Sequence, residues 1–158
     1  PGPFYVRFAR EKSPIFTTQD SPFEFGKANI LHEGTDVAIV ACGPLVHEAL
    51  LAARQLESKK ISARVINMHT IKPLDEDAKL QAAKECGAVI TVEEHQITGG
   101  LGGAICEYLG ENHPVPVERI GVHDQFGQSG EPRELLEYFK LTAPHIVEAA
   151  LRVLARKQ

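Results

Sequence analysis

The chain has 158 residues, 43% of them hydrophobic and 24% charged, which is the composition of one globular domain. Its formal net charge of −4 at pH 7 excludes a broadly basic surface for nucleic acid, and no apolar run approaches the length of a membrane span. No signal peptide is recognised, and the three cysteines are scattered, so we expect free thiols in a reducing, cytoplasmic setting.

The first residues of the chain predict a β-strand that has no partner nearby. Residues 4–8 alternate apolar and polar side chains, and a strand needs a sheet to satisfy its backbone hydrogen bonds. We therefore expect this segment to complete a sheet built mainly by sequence outside the chain. The only methionine is Met68, which also favours a longer parent chain. A polar linker with several prolines follows, so we predict the tail of a preceding domain over 1–22 and a second domain over 23–158.

Strands and helices alternate along the rest of the chain. Short apolar runs predict strands, and apolar residues at helical spacing predict helices. The predicted strands cover 28–31, 37–42, 63–68, 88–92 and 115–120, and the predicted helices begin at Pro44, Asp75, Leu101, Pro132 and Thr142. This alternation indicates βαβ units, and hence an α/β fold in which helices cover both faces of a mainly parallel sheet.

Local signals place several element ends. Asp75 is expected to cap the second helix and Gly87 to end it, while Gly110 is expected to end the third. Pro116 places the last strand at a sheet edge. Thr142 is expected to cap the last helix, whose predicted buried face consists of Ile146, Val147, Ala150, Leu151 and Leu154.

Residues 87–110 carry the strongest functional signal. A buried strand is followed by an acidic tip, a glycine-rich loop and a helix. In open α/β sheets, ligands or partner domains lie at the carboxyl ends of the strands, where this tip is expected. We predict that this edge forms a domain or dimer interface through Glu93, Glu94, His95, Gly99, Gly100 and Gly102. Because glycines let a neighbouring backbone approach closely, large residues at Gly100 or Gly102 are expected to weaken assembly more than folding.

Catalytic and ligand-binding alternatives fit this stretch poorly. The dinucleotide-binding fingerprint fails because Ile105 stands where the third glycine belongs and two acidic residues adjoin the site. A metal site at Glu93, Glu94 and His95, with His69 as a neighbour, fails because successive residues of an extended segment point to opposite faces. No nucleophile motif of the G-x-S-x-G or S-x-x-K type is present. Interface hydrogen bonds are therefore the preferred interpretation.

Several short motifs together resemble the C-terminal domain of transketolase. They are I-K-P-L-D at 71–75, V-E-E-H at 92–95, G-G-L-G at 99–102, the loop at 119–130, and Pro132 with Leu135 and Leu136. The sequence is most similar to the C-terminal part of transketolases that are split into two subunits. Related domains close the 1-deoxyxylulose-5-phosphate synthases and the β subunits of 2-oxo acid dehydrogenases. Both remain alternatives, as does a free-standing α/β ligand-binding module.

The resemblance implies a three-layer α/β/α sandwich around a five-stranded sheet with one antiparallel strand, for which residues 28–31 are the candidate. It also implies transfer of a two-carbon ketol unit between sugar phosphates, dependent on thiamine diphosphate and Mg²⁺, as in the pentose phosphate pathway. In that family the preceding domains hold the cofactor across a dimer interface, and residues 1–22 then include the end of the pyrimidine-binding domain. We therefore expect that this chain alone neither binds the cofactor nor turns over. Its expected partners are the rest of the enzyme, or a separate N-terminal subunit, within a homodimer.

One substrate-binding residue follows from the same resemblance. The family ends its middle domain with a strand that leads to an arginine binding the substrate phosphate, and Arg10 occupies the matching position. A guanidinium group suits a phosphate because it offers several donors in one plane. Glu11 and Lys12 differ from common versions of the segment, so an alternative register places the role on Arg7.

Overall fold

The computed structural model describes residues 2–157, and within them lie five strands and five helices, which alternate from the second strand to the fifth. The strands are β1 (Asn29–His32), β2 (Val37–Ala41), β3 (Ala63–Asn67), β4 (Val89–Gln96) and β5 (Val117–Val122). The helices are α1 (Leu45–Glu57), α2 (Glu76–Cys86), α3 (Leu101–Asn112), α4 (Pro132–Tyr138) and α5 (Ala143–Leu154).

The sheet has the strand order β1-β3-β2-β4-β5. β1 runs antiparallel to β3 and the other neighbouring pairs are parallel, so the predicted mixed sheet with one odd strand is confirmed. β5, which Pro116 precedes, forms the edge opposite β1. Because β2, β3, β4 and β5 point the same way, the segments that follow them emerge together at what we call the carboxyl edge.

Helices cover both faces of this sheet, which confirms the predicted three layers. The central strands β2 and β3 are buried along their whole length, as expected for strands packed on two sides. On one face Ile39 and Ile90 share a core with α1 and α5, and on the other face Val40 and Ile66 share a core with α2 and α3. The alternation of side chains along each strand therefore builds two separate cores.

Asp75 connects the segment before β1 to the start of α2. One carboxylate oxygen accepts a hydrogen bond from the N–H of Ala78 at 3.2 Å, and the other accepts from the N–H of Ala28 at 2.9 Å. Burial raises the pKa of Asp75, but these hydrogen bonds outweigh it and hold the pKa below its ordinary value. Gly87 ends α2 in the left-handed conformation with φ of 62°. Both predicted ends of α2 are confirmed.

The N-terminus of α5 is capped from another helix. Thr142 occupies the predicted cap position, but its hydroxyl contacts the Glu137 carboxylate at 3.2 Å and makes no side-chain cap bond. Instead the N–H of Ala143 donates to Glu48 of α1 at 2.7 Å, and Arg133 donates to the other Glu48 oxygen at 2.7 Å. A buried carboxylate thus ties α1, α4 and α5 together.

Residues 4–8 pair with no strand within residues 2–157, so their expected place in a sheet outside this chain stays a prediction. One prediction about a strand is wrong. β4 continues through Gln96, so the acidic tip belongs to the strand itself. The apolar run marks only the buried part of β4, whereas its backbone pairing extends further.

Two predictions about helices are also wrong. α3 passes through Gly110 and ends at Asn112, because a glycine inside a helix is tolerated and the chain is stopped by Pro114. In α5, Leu151 is 45% exposed, and Val153 joins the buried face instead. The buried stripe follows the 3.6-residue repeat from Ala143, and Leu151 lies beyond its border.

Candidate functional site at the carboxyl edge

Glu93 closes the start of α3 from within the chain. Its side chain is buried, and its two oxygens accept hydrogen bonds of 2.8 Å from the N–H groups of Leu101 and Gly102. The first N–H groups of a helix have no intrahelical partner and carry a partial positive charge, so a carboxylate is favourable there. Glu93 therefore fixes the β4–α3 connection and does not present its side chain at the surface.

The glycines of this connection are required by contacts inside the domain. A Cβ atom at Gly100 would overlap the Glu93 carboxylate, and one at Gly102 would lie 2.7 Å from Thr91 Oγ1 and 3.0 Å from the Cδ of Arg119. Large residues here would displace the cap of α3, so we expect them to impair folding as well, and whether assembly suffers more stays a prediction. At Gly99 the space is open, but its φ of 78° favours glycine.

Glu94, His95 and Gly99 are the exposed members of the predicted interface, and of these Glu94 and His95 carry side chains. The backbone carbonyl of Glu94 accepts a hydrogen bond from Arg7 Nη1 at 2.9 Å. His95 Nδ1 lies 2.8 Å from the carbonyl of Gln96 and 3.8 Å from a Glu93 oxygen, and half of its side chain is exposed. These two residues could contact a partner directly, whereas Glu93 supports them from below.

The two candidate arginines occupy different environments. Arg7 contacts β4 through Glu94, as described above. The Arg10 side chain is 95% exposed, and its Nε lies 3.5 Å from Glu11 Oε1. The structure thus brings Arg7 to the carboxyl edge and leaves the Arg10 side chain exposed to solvent. The phosphate-binding role of Arg10 stays a prediction.

Cys42 follows β2 at the same edge, and its thiol stays protonated. Burial raises the pKa of Cys42 to about 12, with a further increase from Glu93 and a smaller opposing effect from Arg7. Burial likewise raises the pKa values of Cys86 and Cys106. A thiolate is the nucleophilic form of cysteine, so none of these residues is prepared for nucleophilic catalysis.

His69 follows β3 and packs within the domain. Its ring stacks on Phe23 with centroids 4.6 Å apart, and Nδ1 lies 3.1 Å from Thr70 Oγ1. Burial lowers the pKa of His69, which favours the neutral ring. Across residues 2–157, His, Cys, Asp and Glu side chains form no group of three that could hold a metal ion.

An aromatic surface at the carboxyl edge was missed in the sequence. We define it by five side chains with exposed fractions of 56–92%: Phe4, Tyr5, Phe8, Phe25 and Phe126. Phe4 packs edge-to-face on Phe25. The N–H of the next residue, Gly26, donates a hydrogen bond to the side-chain oxygen of Thr70, and Thr70 follows β3. Phe126 follows Gln125, whose carbonyl accepts from Gln96 at the end of β4. The available signal was that Phe25 and Phe126 lie outside every periodic apolar pattern, whereas Phe4 and Phe8 belong to the alternating segment 4–8.

This arrangement defines an α/β/α domain that seals its own glycine-rich helix start with the Glu93 carboxylate. None of the helices within residues 2–157 is both long and apolar enough to cross a membrane. The transketolase C-terminal domain family matches residues 26–146, and the chain belongs to that family.

Similar proteins include parts of several transketolases. The 6-deoxy-6-sulfo-D-fructose transketolase subunit SqwH of Clostridium sp. (strain MSTE9) is 49% identical over 99% of this chain and 48% of its own length. An apulose-4-phosphate transketolase subunit of Phocaeicola vulgatus is 43% identical over 96% of this chain and 48% of its own length. The 1-deoxy-D-xylulose-5-phosphate synthase of Symbiobacterium thermophilum is 38% identical over 98% of this chain but 24% of its own length.

A solved structure described as "Split gene transketolase, inactive beta4 tetramer" matches with a TM-score of 0.91 and 44% sequence identity. The match covers 94% of this chain and 49% of that chain. The chain therefore spans about half the length of the first relatives that it matches.

Proposed function

We propose that this chain is the C-terminal part of a cytoplasmic transketolase that transfers a two-carbon ketol unit from a ketose to an aldose. Its membership of the transketolase C-terminal domain family is the observation that carries this proposal. Two relatives are named for substrates that differ at the terminal anion, one a sulfonated fructose and the other a phosphate ester. The proposed substrates are therefore sugars with a terminal phosphate or sulfonate, the phosphates of the pentose phosphate pathway among them.

The proposed partners are the other half of the relatives' subunit, which this chain does not cover, and the remaining N-terminal part of the enzyme. The aromatic surface supports this assignment, since large exposed apolar side chains often mark a surface that a partner covers. The description of the similar structure as an inactive tetramer supports the expectation that a chain of this kind assembles without turning over alone. In the complete enzyme two copies are proposed to form the homodimer.

The described residues do not fit thiamine diphosphate or its Mg²⁺. The glycine-rich start of α3 is filled by the Glu93 carboxylate, which would repel a diphosphate and already takes the first two N–H groups. We therefore propose that both the cofactor and the metal bind in the parts of the enzyme that this chain does not cover. This chain contributes the docking edge and, through Arg10, a cation for the terminal anion of the substrate.

The experiment is reconstitution of the complete enzyme. This chain would be produced with the N-terminal portion encoded beside it, and ketol transfer would be measured with thiamine diphosphate and Mg²⁺. Phosphate-bearing and sulfonate-bearing ketoses would serve as donors. The expected result is transfer by the complex and none by either portion alone. Full activity of this chain by itself, or an inactive but correctly assembled complex, would contradict the proposal.

Formation of 1-deoxy-D-xylulose 5-phosphate is the second candidate activity. It is favoured by the synthase relative with 38% identity over 98% of the chain. The same complex would be assayed for that product and for transfer to a sugar phosphate acceptor. Product formation without ketol transfer would favour the synthase. Transfer to a lipoyl domain would instead favour a 2-oxo acid dehydrogenase.

A further inference from the structure

Arg7 attaches the segment that carries Arg10 to the body of the domain. Its Nη1 donates to the backbone carbonyl of Glu94 at 2.9 Å, a contact between residues 87 positions apart in the chain. We propose that Arg7 is a positioning residue, which holds residues 4–10 on the carboxyl edge so that the Arg10 guanidinium faces the terminal anion of the substrate. This inference rests on the proposed function.

The acceptor for Arg7 lies at an irregularity in the sheet. The pairing of β4 with β5 shifts register between Val92 and Gln96, on either side of Glu94. An irregularity of this kind locally disrupts the hydrogen bonds between neighbouring strands. The guanidinium of Arg7 donates to a carbonyl inside this irregular stretch.

The same acceptor lies at a rigid point of the structure. Glu93, the preceding residue, is 2% exposed and is fixed by its two hydrogen bonds to the start of α3. A hydrogen bond to a fixed carbonyl holds its donor in one place, whereas an ion pair between two long exposed side chains rearranges easily.

A second contact gives the segment a direction. The rings of Phe4 and Phe25 meet edge-to-face with centroids 5.9 Å apart and an interplanar angle of 80°. Arg10 stands three residues after Arg7, which is about 10 Å of extended chain. The contacts of Phe4 and Arg7 with the domain both precede Arg10, so they limit where its 95%-exposed side chain can reach. A tail without such contacts would leave that side chain free to move.

The first test uses the complete enzyme and a substrate pair that differs only in the terminal phosphate. Arg7→Ala is expected to raise the KM of the phosphate-bearing sugar about tenfold, with little change in kcat or in the KM of the unphosphorylated sugar. Arg10→Ala is expected to act in the same way and more strongly. Arg7→Lys should recover part of the loss because it keeps a charged donor. Arg54→Ala, an exposed cation on α1, is the matched control.

The double variant separates positioning from direct binding. If Arg7 acts through Arg10, the Arg7→Ala, Arg10→Ala enzyme will be no worse than Arg10→Ala alone. Three results would overturn the role of Arg7 and leave the proposed function intact. The first is that the effects of the two substitutions on KM add fully, and the second is an equal rise in KM for both sugars. The third is an unchanged KM in Arg7→Ala beside a raised KM in Arg10→Ala. A silent Arg10→Ala would also overturn it, because Arg7 would have nothing to position. An assembled complex without any ketol transfer overturns the proposed function and this inference together.

The second test uses the chain alone and needs no activity. Backbone ¹⁵N relaxation would be measured at Ala9, between the attachment and Arg10. The amide of Ala9 is expected to lose order in Arg7→Ala and to keep it in Arg54→Ala. Equal order in all three chains would overturn the proposal.

Discussion

Glu48 of α1 and Ala143 of α5 are joined by a hydrogen bond of 2.7 Å in which a backbone N–H donates to a buried carboxylate. Glu48→Ala would leave that N–H without its acceptor and release Arg133. Since the Arg133 side chain is 61% exposed, its charge would be resolvated, and the main cost is the unsatisfied N–H. We expect a loss of about 1–3 kcal/mol in the free energy of unfolding, measured by urea denaturation.

The matched control for that variant is Glu148→Ala, which removes an exposed carboxylate from α5. Its effect should stay within about 0.5 kcal/mol, as for most surface substitutions. Equal losses in the two variants would show that the connection between α1 and α5 does not depend on Glu48.

Glu93→Gln is expected to destabilise the domain although it preserves size. One amide oxygen can still accept a hydrogen bond, but the NH₂ group would face an N–H of α3, and the negative charge at the helix start would be lost. We expect a loss of about 1–3 kcal/mol in unfolding free energy. Glu94→Gln, at an exposed position, is the control and should change little. The reverse order of effects would mean that the carboxylate does not cap α3.

Gly102 and Gly103 form a natural pair of test and control. Gly102→Ala would place Cβ 2.7 Å from Thr91 Oγ1, and we expect a loss of about 1–3 kcal/mol from overpacking. Gly103→Ala meets nothing within 4 Å and should stabilise α3 by about 0.5–1 kcal/mol. Thr91→Ala in the Gly102→Ala background should recover part of the loss, because it removes the clashing oxygen. Thermal and urea unfolding of the four chains would check this order.

How far the sequence predicts the structure depends on the distance between the interacting residues. The cap of α2 by Asp75 was predictable, because a cap three residues before its N–H partner is a local signal. The cap of α5 by Glu48 was not, since donor and acceptor are 95 positions apart. Glu93 lies between these cases. An acidic residue after an apolar run looks the same whether it turns inward to a helix or outward to a partner.

The candidate site was predictable in its location but only partly in its residues. Strand order and direction bring residues 93–102 to the carboxyl edge, and the apolar runs were sufficient to indicate that. The contact of Arg7 with a backbone carbonyl was not predictable, because a carbonyl is present at every residue. The aromatic surface was also missed, since exposed rings resemble core residues until the core has been located.

Asp75 should make stability depend on pH in the acidic range. Its pKa in the folded chain lies below its ordinary value, so its stabilising contribution is present above the unfolded pKa of about 4 and is lost as pH falls through the folded value. The difference in unfolding free energy between wild type and Asp75→Asn should therefore be largest near neutral pH and shrink on acidification. Urea titrations between pH 3 and 7 would measure it. Asp77→Asn, whose side chain is 93% exposed in the same helical turn, should show no comparable trend.

The aromatic surface should contribute to assembly and not to the stability of the domain. Phe8 and Phe126 are 82% and 92% exposed, so Phe8→Ser and Phe126→Ser should leave the unfolding free energy within about 0.5 kcal/mol of wild type. Buried in an interface, each ring would contribute about 1–2 kcal/mol, so each variant should bind the N-terminal portion of the enzyme about tenfold more weakly. Calorimetric titration of the two portions would measure the affinity. Leu151→Ser, at an exposed apolar position on α5, is the control and should bind as wild type does. A loss of affinity in the control alone would place the docking surface on α5 instead of the carboxyl edge.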